Sequence, residues 1–434
     1  MSTFKPVRGM RDFLSKDAQK MRYVENIAKE LALLYGYEEA ITPVVESYEL
    51  LAAKAGEEIR LRMYAFNDMG GRKVALRPEF TPSIARLVAT KLRNAPKPLK
   101  LFSAGSLYRY DEPQYGRFRE FWQANYELMG SNRPEADAEI LTITNDLLSR
   151  VGLHNYYLKI GHMGILRGIL SQEGIIEEPQ NRIMQLLDKK RWEETLKVTQ
   201  ELGASQKCQT TLKNLIEITG KDTARVLQRI KQNVKDFEDA VVSVENLQEI
   251  LDLTKNGGAG FEVLIEAGFA RGLEYYTGIV FEPYVPELEI ALGGGGRYDR
   301  LVELFGGEPT PAVGVANGID RIVLAMKKQK LPLKLSEQKR VVIIPLKEEM
   351  RAEAYRLAST LRQVGIHTEV EVMGRGVSKA LSDADRRGFH YSVLIGPEEV
   401  AEGKIILRNM KKREQTAIET RKLVEEIMKG QQTA

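Results

Sequence analysis

Residues 99–130 constrain this chain more than any other stretch. Leu99–Tyr110 and Phe118–Gly130 are two strand-like runs around a polar loop, Asp111-Glu112-Pro113-Gln114-Tyr115-Gly116-Arg117, and they predict a long antiparallel hairpin. Two strands alone are marginal in water, so the hairpin commits the chain to a sheet. Strand alternation puts Arg117, Arg119, Phe121, Gln123, Asn125 and Glu127 on one broad face. Arg109 precedes the turn on the partner strand. That face offers cations, an aromatic plate, an amide and an acid in sequence. Cations suit phosphates, and a planar ring suits a nucleobase. The alternative is a surface strand with cross-strand charge pairs.

Around the hairpin the pattern mixes helices and strands. Val24, Ile27, Ala28, Leu31 and Leu34 recur at helical spacing and predict a helix over 15–35, with Ser15 as N-cap and Gly36 ending it. Strands are expected at Tyr37–Thr42, stopped by Pro43, and at Lys73–Arg77 before Pro78. Helices are expected from Thr81 or Pro82 and over Glu135–Val151. From about Ser171 to Asn256 the pattern turns helical. Residues 171–260 carry 13 Lys/Arg against 15 Asp/Glu, so this block is not a basic arm. Strands resume at Phe261–Glu266 and Ile279–Pro283, as if a helical insertion interrupts a β-rich domain. Lys327–Lys339, with Pro332 and five lysines, reads as a boundary. Beyond it strands and helices alternate, which argues an α/β domain of about 95 residues. The expected division is 1–170 and 258–328 for one α+β domain, 171–257 for the insertion, and 338–434 for the last unit.

The length of 434 residues agrees with about three domains. With 43% hydrophobic and 29% charged residues, the chain forms cores rather than staying disordered. No apolar run approaches the roughly 18 residues of a membrane span, and the first residues show no secretory pattern. A single cysteine, Cys208, excludes an intrachain disulfide and points to a reducing compartment. Four scattered histidines argue against a histidine-built zinc site. The net charge of +4 does not announce nucleic acid, so any RNA contact must come from locally placed cations.

Three further clusters carry chemistry. Glu79, in Leu76-Arg77-Pro78-Glu79-Phe80-Thr81-Pro82, sits at a strand-to-helix turn, where a carboxylate can face a cleft and accept from an ammonium group. It can equally be an ordinary acidic residue at a helix start. Arg271-Gly272-Leu273-Glu274-Tyr275-Tyr276-Thr277-Gly278 joins a cation to two tyrosines. Leu292-Gly293-Gly294-Gly295-Gly296-Arg297-Tyr298-Asp299 is followed by Gly314–Arg321. Four consecutive glycines let a ligand approach the backbone closely. Taken alone they are equally a glycine-rich turn. They form neither a Walker loop nor a dinucleotide fingerprint.

Together these clusters resemble class II aminoacyl-tRNA synthetases, and specifically the histidyl-tRNA synthetase family. Arg271–Gly278 is similar to that family's first signature and Gly294–Asp299 to its second. Tyr108–Asp111 with Arg117–Phe121 resembles class II motif 2, Gly318–Arg321 motif 3, and the helix 15–35 with its strand motif 1. Three positions depart from the commoner pattern: Glu274 and Asp320 exchange acid lengths, and Arg300 replaces a frequent glycine.

The resemblance implies roles residue by residue. Glu79 and Thr81 would hold the substrate α-ammonium, Gln123 the amino-acid backbone, and Glu127 with Tyr275 and Tyr276 the imidazole side. Arg109 would sit on the ATP α-phosphate, helped by Arg117 and Asp111. Phe121 would stack on adenine, Arg321 would hold the γ-phosphate, and Arg271 would place a cation beside the scissile α-phosphate. Gln114, at the loop tip, would meet the acceptor end of the tRNA. Implied with these are ATP and Mg²⁺, L-histidine, histidine tRNA, a homodimer and a cytoplasmic location without membrane contact. The metal ligands stay unassigned. The alternatives are a regulatory paralogue from histidine biosynthesis, another class II synthetase, and a pseudo-synthetase acting as a binding module.

Overall fold

A computed structural model describes residues 4–332 and 339–429; residues 333–338 of the expected boundary segment lie outside them. The described residues fall into two compact units that divide between 333 and 334.

The first unit is built on a nine-stranded sheet. Its order is 38–39, 99–108, 120–129, 312–318, 293–297, 279–284, 157–162, 262–266 and 219–220. The hairpin is antiparallel, with Leu101 opposite Glu127 and Tyr108 opposite Glu120. It is shorter than expected: Arg109 still donates its N–H to Arg119 O at 2.9 Å, but the other backbone groups at 110 and 119 turn to partners outside the hairpin. Tyr110 donates its N–H to Arg62 O at 2.7 Å, and Arg119 donates to Gly9 O at 2.9 Å. The expected strand at 37–42 shrinks to Glu38–Glu39, parallel to Leu101–Phe102.

Helix Ser15–Leu34 buries Met21, Val24, Ala28 and Leu31, the stripe its spacing predicts. Ser15 does not cap it. Leu14 holds the cap position, and Ser15 is the first helical residue at φ 44°. Helix Pro134–Arg150 starts with proline, whose missing N–H has no helical partner to lose. Both helices contribute to the core beneath the sheet.

The expected insertion forms five helices: Glu177–Asp188, Trp192–Glu201, Gln206–Glu217, Thr223–Asn233 and Glu238–Asn256. They do not stand apart. Their apolar faces join the core of the sheet, and Thr219–Gly220 adds an edge strand against Ile265–Glu266. The glycine quartet is not a turn. Gly293–Arg297 is a strand in the middle of the sheet, paired with 279–284 and 312–318.

The second unit has a five-stranded sheet in the order 367–370, 340–345, 391–395, 404–409 and 414–419. The first three strands are parallel and the last two close an antiparallel hairpin. Val341 and Ile343 pack with helix Arg351–Gln363, while Val342 and Ile344 face helix Val377–Arg386. A strand covered on both faces must be apolar throughout, which is why 340–345 reads as a continuous run.

Candidate active site

One face of the large sheet carries a cavity of about 470 Å³. Its floor is glycine. Gly314 lies opposite Glu127 in the sheet, and a Cβ there would fall 1.8 Å from Glu127 Oε2. A Cβ at Gly294 would fall 1.6 Å from Arg271 Nη1, and one at Gly296 would fall 2.9 Å from the Tyr276 ring. Strand alternation puts Gly294 and Gly296 on this same face. The glycines therefore leave room first for the protein's own side chains, and only through them for a ligand.

Two buried carboxyls line one end. Glu127 Oε1 accepts from the Thr81 hydroxyl at 2.7 Å, and its Oε2 accepts from the Tyr298 hydroxyl. Burial pushes the Glu127 carboxyl up to about 7, against the lowering effect of those hydrogen bonds. Glu79 Oε2 accepts from the Tyr275 hydroxyl at 3.0 Å, while its Oε1 has no hydrogen-bond partner among the described residues. Burial also raises Glu79, and the nearby Arg109 charge lowers it. Gln123 Oε1 is likewise buried without a partner. These open acceptors suit a ligand bearing N–H donors.

The other end is cationic. Arg109 Nε donates to Pro78 O at 3.0 Å, and its guanidinium lies 5.4 Å from the Phe121 ring centroid. Arg321 donates to Gly116 O at 3.2 Å and to Ala291 O at 2.8 Å. Gly116, at φ 72°, adopts a left-handed turn there, and a Cβ would collide with Ile290. Burial, with the charges of Arg109 and Arg117, lowers Arg321 to about 10. Arg109, Arg117 and Arg321 make no ion pair among the described residues, although all line the cavity. Arg271 differs: it pairs with Glu282 at 3.2 Å and lies 5.7 Å from the Tyr276 ring.

The cavity gathers Glu79, Thr81, Arg109, Asp111, Arg117, Phe121 and Gln123 from the hairpin side. Glu127, Arg271, Tyr275, Tyr276 and Arg321 complete the residues singled out by sequence. Gln114 is not among its walls; it is exposed at the loop tip, its backbone bridged to Arg117. Asp111 accepts from Arg62 at 2.9 Å. One residue of the alternating face leaves it. Arg119 is buried, stacked 3.8 Å from the Tyr110 ring centroid and donating to Asp111 O, because it precedes the strand. Asn125 stays on that face, buried beside the Glu127 carboxyl.

Sequence reasoning assigned no role to Tyr298, Glu282, Arg62 or Asp188, all of which line the cavity. Tyr298 stood inside the second signature. Its neighbours Arg297 and Asp299 do structural work, Arg297 pairing with buried Asp137 at 2.8 Å and with Asp299 at 3.0 Å. The departures from the family pattern are local. Glu274 accepts from Gln185 at 3.1 Å, and exposed Arg300 reaches Glu177 at 3.4 Å. Asp320 accepts the Trp122 N–H at 2.6 Å and pairs with Arg11, which stacks on Phe118.

A mixed, largely antiparallel sheet flanked by helices, with a hairpin-borne arginine, a facing aromatic ring and a helix-borne arginine beyond the central strands, is the arrangement of a class II aminoacyl-tRNA synthetase. Comparison with known proteins narrows this. The histidyl-tRNA synthetase family profile matches residues 9–322, and the anticodon binding domain profile matches 340–430. The chain belongs to the histidyl-tRNA synthetase family. It is 42% identical to histidine–tRNA ligase of Methanocaldococcus jannaschii, over 96% of this chain and 97% of that one. It is 36% identical to the histidine–tRNA ligase of Sulfolobus acidocaldarius, over 98% of each chain. Among solved structures, apo histidyl-tRNA synthetase of S. aureus superposes with a TM-score of 0.69 at 26% identity, covering 98% of this chain and 100% of that one. An ATP phosphoribosyltransferase regulatory subunit/histidyl-tRNA synthetase from Bacillus halodurans gives 0.75 at 26% identity, over 88% of this chain and 97% of that one.

Proposed function

We infer that this chain is a histidine–tRNA ligase: it activates L-histidine with ATP to histidyl-adenylate and transfers the histidyl group to the 3′ end of histidine tRNA. The carrying observation is the shared cavity. Three guanidiniums without ion-pair partners among the described residues converge on the same space as two tyrosine-braced buried carboxyls. A triphosphate and a small ligand rich in N–H donors satisfy both ends together.

The contacts support the residue roles that the family resemblance implies. Glu79 Oε1 is open to accept from the substrate ammonium. The Thr81 hydroxyl donates to Glu127 and keeps lone pairs for the same ammonium. Gln123 fixes the amino-acid backbone. Glu127 accepts from the imidazole, with Tyr276 beside it and Tyr275 acting through Glu79. Arg109 holds the α-phosphate, Arg117 and Asp111 assist at the nucleotide, Phe121 stacks on adenine, and Arg321 holds the γ-phosphate. Gln114 meets the acceptor end. The histidine carboxylate is already an anion and needs no general base. One of its oxygens bonds to the α-phosphorus while the bond to the pyrophosphate oxygen breaks. What the protein supplies is alignment and fixed positive charge, for which the rigid guanidinium fork is suited.

Family members use a divalent metal in general. Mg²⁺ usually takes one or two carboxylates and completes its shell with water and phosphate oxygens. Among the described residues no group of three or more His, Cys, Asp or Glu gathers as a metal cage. This donor set suits an ion carried in on the triphosphate, where it would add charge neutralisation.

We assign residues 171–257 to clamping the acceptor arm and 338–434 to reading the anticodon, the latter supported by the anticodon binding domain profile. That same domain argues against the regulatory-paralogue reading. Exposed apolar residues Leu33, Leu34 and Ile41 within the motif 1 region, and Val45, Phe66 and Met69 after it, support a homodimer. No described helix is long and apolar enough to cross a membrane. A cytoplasmic site of action is proposed from the tRNA substrate. Pyrophosphate–ATP exchange measured with each of the twenty amino acids tests the activity. Exchange with histidine alone is expected; exchange with another amino acid in its place would overturn it.

A further inference from the structure

Strand 120–129 outruns one of its neighbours. Its pairing with 312–318 ends at Gln123 opposite Gly318, where the chain leaves the sheet and enters helix Ile319–Lys328. Trp122, the next residue of the strand, lines the cavity between Phe121 and Gln123. In place of a strand carbonyl, Asp320 Oδ2 accepts its N–H at 2.6 Å. The acid that completes the sheet is a charge beside the site. Asp320 is buried, lines the cavity, and precedes Arg321 at the end where Arg109 and Arg117 also gather. A bare carboxylate there would oppose the binding of a triphosphate.

The second oxygen of this carboxylate has a cation. Asp320 Oδ1 pairs with Arg11 Nη2, and among the described residues no other cation pairs with Asp320. Arg11 lies 309 residues away in the chain, on the segment before the first helix. That segment is fastened to the hairpin, since Gly9 O accepts the Arg119 N–H at 2.9 Å. The Arg11 guanidinium lies 3.2 Å from the Phe118 ring centroid and 4.8 Å from that of Phe13. Phe13 in turn meets the Trp122 ring edge-on, with centroids 5.6 Å apart. Phe118 and Trp122 line the cavity, and Arg11 does not. Arg11 is thus seated behind the wall, between two rings, with its charge on the Asp320 carboxylate.

We propose that Arg11 is a positioning residue for the nucleotide: it neutralises Asp320 from behind, so that a buried carboxylate can complete the sheet without repelling ATP. This rests on the placement of ATP at the arginine end of the cavity proposed above. Removing one partner of a buried ion pair leaves the other charge uncompensated. Here the stranded charge would lie in the wall of the nucleotide end. The segment before the first helix therefore belongs to the nucleotide site, although its cation stays outside the cavity.

The test is histidine-dependent pyrophosphate exchange by the full-length protein, with KM measured separately for ATP and for histidine. Arg11→Met keeps an extended side chain against the rings and loses the charge. It should raise KM for ATP at least about tenfold, with KM for histidine within about threefold of wild type. Adding Asp320→Asn, whose amide oxygen still accepts the Trp122 N–H, should return KM for ATP to within about threefold of wild type, because no charge is then stranded. Arg11→Lys keeps the charge and should also stay within about threefold. If Arg11→Met does not fold, Arg11→Gln, equally uncharged, carries the same expectations. An unchanged KM for ATP in the uncharged variant, or an equal rise in both KM values, would overturn the inference. So would a double variant no better than Arg11→Met, or an Arg11→Lys as impaired as it, since Arg11 would then act only through packing. Arg321→Ala separates the two readings. Near-normal ATP kinetics in that variant would sink the nucleotide placement itself, whereas weakened ATP use there beside a normal Arg11→Met would overturn the role of Arg11 alone.

Discussion

At the scale of single residues, Glu127 is the most consequential group. It is a buried carboxyl with two hydroxyl donors and no cation against it. Burial raises it from an ordinary 4.5 to about 7, so near neutrality the ligand-free pocket holds it in both protonation states. Because the folded value is raised, its stabilisation belongs to the protonated form. That contribution is complete below about pH 4.5 and is lost as pH rises through about 7, a span on the order of 3 kcal/mol. Glu127→Gln removes the titration. The Tm of the variant relative to wild type should therefore climb between about pH 4.5 and 7 and level off above, as thermal melts across that range would record. A difference independent of pH would mean that Glu127 is ionised at little cost. The same substitution should raise KM for histidine more than KM for ATP, since the amide oxygen that remains accepts from the imidazole N–H without the help of a negative charge.

At the scale of elements, the glycine strand 293–297 is the structural device of the site. Its two faces have different neighbours, and they predict different failures. Gly294→Ala places a Cβ against the flexible end of Arg271, which can move aside. The protein should fold with a nearly unchanged Tm and lose kcat for exchange by at least about tenfold. Gly295→Ala meets Gly314 O at 2.3 Å and the Phe281 ring at 2.8 Å, neither of which can yield. Overpacking of this kind typically costs about 1–3 kcal/mol, so here Tm should fall. Calorimetry beside exchange kinetics separates the two outcomes. Variants that lost activity and stability together at both positions would show the strand to be a scaffold only.

At the scale of the whole molecule, the described residues form two units with separate cores, and the first leaves apolar side chains bare between residues 33 and 69. Ile41 is 89% exposed, beside a short edge strand that pairs on one side only. Unpaired edges and exposed apolar surface are interaction surfaces. Light scattering should give about twice the chain mass of 49.0 kDa. Ile41→Asp with Phe66→Asp should shift the protein toward monomer while leaving the second unit's core intact. A wild-type protein of single-chain mass at micromolar concentration would refute the dimer.

Much of this molecule is legible in its sequence. Apolar spacing defines helix 15–34, alternation defines the hairpin, and the first signature marks Arg271, Tyr275 and Tyr276, because periodicity and residue chemistry are local properties. Twelve of the singled-out residues meet in one cavity, but only Thr81, Phe121, Gln123, Glu127 and Arg321 sit on helices or strands; the other seven are on connecting segments, and the family signatures rather than periodicity marked them. The rest depended on partners distant in the chain. Whether four glycines form a turn or a strand is undecided locally, since glycine permits both; pairing with 279–284 and 312–318 decides it. Arg119 has the same chemistry as Arg117, yet it is buried because Gly9 supplies its backbone acceptor from 110 residues away. Ser15 has the residue type of a cap, but the backbone there places Leu14 in the cap position. Tyr298 shows no role in sequence, because what it touches, Glu127, is 171 residues away. Local patterns determined the elements and the chemistry they carry; only the tertiary fold determined which of those groups share a low-dielectric space and act on one another.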